Sequence, residues 1–164
     1  MGYALTFMAK FNEREGNSSH IHCSFRGLNG EMVLADEKDK EHGLSDTGRH
    51  FIAGMQKHLR ELSLMWAPTI NSYKRYQPGS FAPTAIRWGR DNRTCALRLV
   101  GHGQSLRVEN RVPGGDVNPY LAVAGMIAAG LDGIKNKLPL EPAFVGNAYR
   151  SEEHTSELQS LAYL

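Results

Sequence analysis

The chain has 164 residues, 22% of them charged and 41% hydrophobic, with a formal net charge of +2; this suits one domain, or part of a larger one, with a moderate core. So small a net charge, with no lysine-rich or aromatic-interleaved stripe, excludes general nucleic-acid binding. No apolar run approaches the roughly 20 residues of a membrane span and no basic-then-apolar leader opens the chain. Two cysteines without CxxC spacing, Cys23 and Cys95, predict a reducing cytoplasm.

Residues 3–10 read as a strand, and residues 19–25 alternate as a second one. Residues 27–43 are polar and turn-rich and predict a surface hairpin and loop. From Ser45, placed as an N-cap, to about residue 64 the pattern is helical: Phe51, Ile52, Met55, His58, Leu59, Leu62 and Met65 recur at i, i+3, i+4 spacing. Pro68 ends that helix, and residues 70–73 restart it. Short strands follow at about 84–89, 95–101 and 105–111, separated by Gly-, Asp- and Asn-containing turns. After a turn at Pro113-Gly114-Gly115-Asp116, Asn118 and Pro119 carry an N-cap and N1 signature. The helix they open runs to about Asn136; being apolar and alanine-rich, it is expected to be well buried. The predicted architecture is α+β, an antiparallel sheet with helices packed on one face.

Positive charge is concentrated between Tyr73 and Arg111, where seven arginines (75, 87, 90, 93, 98, 107 and 111) stand against Asp91 and Glu109. Guanidinium pairs bidentately with carboxylate or phosphate and keeps its charge when partly desolvated. Alternating with apolar residues on short strands, these arginines read as a pocket for anions; the competing reading is a solvated basic face. His20 and His22 stand at i and i+2 on a strand, so both imidazoles leave the same face. With a glutamate nearby they suit a divalent metal or a phosphate, against the alternative of hydrogen-bonded sheet histidines. Glu109 is either an ion-pair partner or a metal carboxylate. Metal and arginines together fit phosphoryl transfer, in which developing negative charge needs cations on several sides. There is no GxxxxGK[ST], hence no Walker-type site. Neither Cys23 nor Ser24 has an adjacent base that would favour nucleophilic catalysis.

Five linked segments carry a resemblance: Gly16-Asn17-Ser18-Ser19-His20-Ile21-His22; Asn71-Ser72-Tyr73-Lys74-Arg75 with Pro78-Gly79; Asn92-Arg93-Thr94; Arg107-Val108-Glu109-Asn110-Arg111; and Asn118-Pro119-Tyr120. In order and spacing, from Thr6 to about Tyr149, they resemble the C-terminal catalytic domain of glutamine synthetases. The resemblance implies an ATP-dependent ligase that phosphorylates the side-chain carboxylate of glutamate and lets an amine displace phosphate. It implies that His20 and Glu109 ligate Mg²⁺ or Mn²⁺, that His22 faces the nucleotide phosphates and that Ser24 lies against the nucleotide. It further implies Gly16 as the backbone receiving the glutamate amino group, Arg75 and Arg111 as glutamate-carboxylate binders, and Arg93, Arg98 and Arg107 as binders of ATP. Arg93 also has the catalytic role, on the transferring phosphoryl group. Arg87 and Arg90 match no functional position and are expected to be surface charges.

Three departures bear on function. In glutamine-forming members the segment after Pro-Gly holds a glutamate that binds and deprotonates ammonium; here Phe81 stands there. A phenyl ring accepts no proton but can line a wider slot for the carbon chain of an amine. With the Glu15-Gly16-Asn17-Ser18-Ser19-His20 version of the histidine motif, this resembles the γ-glutamylpolyamine and γ-glutamylamine synthetase branch and implies an organic amine, a polyamine or a monoamine, as acceptor. The alternatives are a glutamine-forming synthetase and a non-catalytic module on the same fold. Second, the family builds its site between subunits of a homo-oligomeric ring with upstream glutamates, so this chain is expected to hold part of a site and to be inactive alone. Third, residues 151–164 depart from the family pattern and are expected to be an artefactual or disordered tail to a domain at 1–150.

Overall fold

Four short strands make the central sheet: β1 (Ile21–Cys23), β2 (Ala85–Arg90), β3 (Cys95–Val100) and β4 (Arg107–Asn110), in the order β1-β4-β3-β2. They belong to a computed structural model that describes residues 2–150; the expectations for residues 151–164 lie outside the described residues. β4 runs antiparallel to both neighbours, with His22 opposite Glu109 on one side and Arg98 opposite Glu109 on the other. Side chains opposite one another share a face, so register alone lines up His22, Glu109 and Arg98. The antiparallel expectation holds for these two ladders, whereas β2 pairs with β3 in parallel, with a register shift between Ala85 and Trp88. Where the chain leaves β2, Asp91 takes a left-handed φ of 49° and its N–H donates to the Leu99 carbonyl at 2.9 Å.

The opposite face of the sheet is apolar. Leu97, Leu99 and Val108 pack there with helices α1 (Asp46–His58) and α4 (Pro119–Lys135). Both helices begin as the sequence predicts: the Ser45 hydroxyl accepts from the Gly48 N–H at 3.0 Å, and Asn118 Oδ1 accepts from Tyr120 at 3.0 Å and Leu121 at 3.3 Å. α4 presents small residues inward, among them Ala122, Gly125, Ala129, Gly130 and Gly133. They bring the two helix backbones into contact, since a Cβ on Gly54 would lie 2.2 Å from the Ala129 carbonyl oxygen and one on Gly133 2.1 Å from that of His50. The outer side of α4 is open, with Tyr120, Leu121, Val123, Ile127 and Leu131 exposed. Expected to be well buried, α4 is buried along its small-residue side and exposed on the other.

Two further expectations change. The helix predicted to about residue 64 stops at His58, and α2 (Ser63–Trp66) turns so that the Trp66 indole N–H donates to the Leu59 carbonyl at 3.0 Å. The restart over α3 (Ile70–Tyr73) is capped by a reciprocal Thr69–Ser72 box. Residues 3–10 form no strand among the described residues; the Asn17 amide holds the Thr6 and Met8 carbonyls at 3.2 and 3.0 Å. Alternation supplies a strand with faces but not with a neighbour to pair with.

The glycine contact between α1 and α4 sets a stability prediction. Gly54→Ala drives a methyl into backbone that cannot yield, and should destabilise the fold by about 1–3 kcal/mol. Thermal unfolding followed by circular dichroism should show a lowered Tm, and an unchanged melt would contradict the close approach.

Candidate active site

Glu109 is the centre of the polar face. It is 3% exposed, and its Oε1 lies 3.2 Å from His20 Nδ1, 3.4 Å from His22 Nε2 and 3.0 Å from an Arg111 Nη1. Its Oε2 accepts from Arg98 at 3.0 Å. Burial works to raise the carboxyl pKa, but the His20 hydrogen bond and the Arg111 and Arg98 guanidiniums outweigh it and hold it at about 2. His22 moves down from its ordinary value: partial burial leads, Glu109 opposes, and Arg107, His20 and Arg98 add to the lowering. Its Nδ1 accepts from Arg107 Nε at 3.3 Å, so the neutral ring has its proton on Nε2, toward Glu109. His20, His22, Arg98, Arg107, Glu109 and Arg111 therefore form one cluster on three adjacent strands, as the alternation predicts.

The other arginines divide. Arg98 also binds Asp91, through Nε at 3.0 Å and a second, shorter contact. Arg111, 3% exposed, ties three segments together: besides Glu109, its Nε donates to the Arg93 carbonyl and its Nη2 to the Phe81 carbonyl, both at 3.1 Å. Arg93 joins the cluster through that carbonyl, its side chain being exposed. Arg75 is 5% exposed; its Nη2 donates to the Arg111, Val112 and Pro113 carbonyls while Nε meets no partner. Arg87 pairs with Glu141 at 3.0 Å, and Arg90 binds His102 and the Gly101 carbonyl. Both lie on the far side of the sheet from β1, as expected for residues outside the site. Ser24 is exposed just past β1.

Beside the cluster lies a cavity of about 250 Å³ lined by Gly16, His20, Arg75 and Phe81 among others. A Cβ on Gly16 would stand 2.9 Å from the Ala9 carbonyl oxygen and 3.3 Å from Arg75 Cγ, so only glycine fits there. Phe81 is 65% exposed and has a left-handed φ of 58°, a conformation that costs a non-glycine residue on the order of 1–2 kcal/mol. The hydrogen bond from Arg111 to its carbonyl holds it there. Two supports escaped the sequence reading. Asn71 clips the Lys10 backbone with both ends of its amide, at 2.8 and 2.7 Å, and so fixes the loop that carries Gly16. Asp116 Oδ2 accepts from the Thr69 and Ser72 hydroxyls at 2.9 and 2.7 Å. Short polar side chains near turns signal such backbone roles without naming the partner.

The donor set fits part of a hard-cation site. The 3.2 Å between His20 Nδ1 and Glu109 Oε1 is close to the edge of an octahedron with bonds of about 2.1 Å. Among the described residues no group of three His, Cys, Asp or Glu side chains surrounds such a point. A Mg²⁺-like ion takes few protein ligands and fills the rest with water and phosphate oxygens. Among the described residues no helix is long and apolar enough to cross a membrane.

Residues 1–163 match the glutamine synthetase catalytic domain family. A γ-glutamylethanolamide synthetase of Streptomyces coelicolor is 62% identical over 92% of this chain and 32% of its own length. A type-1 glutamine synthetase of Dictyostelium discoideum is 46% identical over 90% and 29%. In structure, a GmaS–ADP complex superposes with a TM-score of 0.81 and 34% identity, over 93% of this chain and 38% of that one. The chain thus spans about a third of the length of the curated relatives it matches.

Replacing the central carboxylate should show how far the cluster depends on it. Glu109→Gln leaves buried guanidinium without its counter-charge, at a cost on the order of 3 kcal/mol in unfolding free energy. Urea unfolding of the variant should show the loss; equal stability would mean that the arginines are satisfied without Glu109.

Proposed function

The chain belongs to the glutamine synthetase catalytic-domain family, and on that premise we propose that the protein carrying it is an ATP-dependent ligase joining glutamate to an organic amine. Glutamate, ATP and a primary amine would give the γ-glutamyl amide, ADP and phosphate by way of γ-glutamyl phosphate. Arg93, Arg98 and Arg107 would surround the phosphates, where negative charge moves onto the β,γ-bridging oxygen as ADP leaves during transfer. His22, beside Arg107, would face the nucleotide phosphates, and Ser24 would flank the nucleotide. Gly16, Arg75 and Arg111 would receive glutamate, with the orphaned Nε of Arg75 as a buried donor for a carboxylate. His20 and Glu109 would hold a Mg²⁺ or Mn²⁺ ion, which when bound neutralises phosphate charge.

The observation that carries the choice of acceptor is Phe81. It stands at the mouth of the cavity, 65% exposed, where an ammonium-using site would want a carboxylate. Its ring offers apolar surface to a carbon chain and nothing to an ammonium ion. The 62% identical Streptomyces relative, named for an ethanolamide product, supports this reading over glutamine formation. The convergence of four polar side chains on Glu109 supports an enzyme over a binding module, which needs no such cluster. Because the chain spans about a third of its relatives' length, we propose that the working site is completed in a homo-oligomeric ring, assign it to the cytoplasm on its free cysteines, and expect the 164-residue chain alone not to turn over.

The test is steady-state ADP release by the complete enzyme with glutamate, ATP and Mg²⁺, given ammonium, ethanolamine or n-butylamine separately. The reading predicts kcat/KM for an organic amine at least tenfold above that for ammonium. A higher value for ammonium would make the enzyme a glutamine synthetase.

A further inference from the structure

We infer that the acceptor's tail runs past Phe81 into a second chamber and carries no second positive charge, so that the enzyme selects monoamines over diamines. This rests on the glutamate–amine ligase reading above. The cavity beside Phe81 shares Lys10, Arg14, Gly79 and Ser80 with an adjoining cavity of about 690 Å³, so the two adjoin across these four residues. Phe11 and Pro78 offer the tail apolar surface there, and Asn12 and Gln77 offer polar groups.

The charge of the outer chamber is lopsided. Lys10, Arg14 and Lys74 line it against one carboxylate, Glu13. Among the described residues none of the three cations forms an ion pair; Lys10 Nζ donates instead to the Arg14 carbonyl at 3.3 Å. Glu15 lines only the inner cavity, where the buried Arg75 offsets it. A diamine such as putrescine brings its distal ammonium into this excess of two positive charges. Across about 7 Å of water, each unpaired like charge costs a factor of about 2.5 in binding, so two make a factor of about 6. A hydroxyl or alkyl tail meets no such penalty, and a carboxylate tail gains from the same cations. The selection is electrostatic, and salt should weaken it.

A four-carbon series isolates tail charge from tail length. With the complete enzyme, kcat/KM for putrescine should fall at least fivefold below that for n-butylamine, with 4-aminobutyrate at or above n-butylamine. Raising ionic strength to 0.5 M should narrow the gap. Lys74→Glu should raise the putrescine-to-butylamine ratio severalfold; Lys74→Gln, which removes charge without reversing it, should do so more weakly and serves if the reversal does not fold. Putrescine equal to or better than n-butylamine, or a ratio that neither variant moves, would overturn the inference while leaving the ligase reading intact. If ammonium outruns all three amines, the ligase reading itself falls.

Discussion

A carboxylate buried to 3% exposure inside a ring of cations is the constraint around which the rest is arranged. Left alone, Glu109 would protonate or draw in water, because burying an isolated charge is far more costly than neutralising it. It stays ionised because three neighbouring segments converge on it: β1 and the residue before it bring His22 and His20, β3 brings Arg98, and Arg111 follows directly on β4. The same contacts that keep it charged hold the strands in register. Arg111 then carries the constraint outward, fixing the carbonyls of Arg93 and Phe81. Glu109, the Arg93 backbone and the lip of the cleft at Phe81 are thus linked through one side chain. Stability and the poise of the proposed site rest on the same network, and neither can be altered independently.

The division of labour between the two faces of the sheet makes this possible. Leu97, Leu99 and Val108 turn away from the polar cluster and meet helices that approach closely enough for backbones to touch at Gly54 and Gly133. The close packing on that side supplies apolar burial that the polar side cannot. The polar side can then hold a strained Phe81 backbone and a buried Arg75 with an unpartnered Nε. Phe81 and Arg75 both line the cavity beside the cluster, where the proposed ligand would meet them.

Local periodicity read much of this correctly. The i, i+2 spacing of His20 and His22 gave their common face, and Ser45 and Asn118 gave the helix starts, because each signal depends on a few adjacent residues. The α+β class and the family followed from the order of such signals. What stayed hidden depends on partners distant in sequence. Residues 3–10 read as a strand but have no strand to pair with. The parallel β2–β3 pairing depends on contacts between whole strands, and the open side of α4 on which helix face meets α1. Within the candidate site, the histidines, Glu109 and the arginines were legible by type. Arg75 and Arg111 holding backbone carbonyls, the left-handed Phe81 and the Asn71 clip across 61 residues were not. The two adjoining cavities and their charge exist only in three dimensions.

The central claim is that His20 and Glu109, clustered in this fold, are ligands of a divalent ion and not merely partners of each other. The most direct test is a crystal structure of the complete enzyme grown with Mn²⁺ and a non-hydrolysable ATP analogue, with diffraction collected at the manganese absorption edge. The account predicts an anomalous peak within about 2.3 Å of both a His20 ring nitrogen and a Glu109 oxygen. A peak located elsewhere, with Glu109 still paired to His20, Arg98 and Arg111, would contradict it.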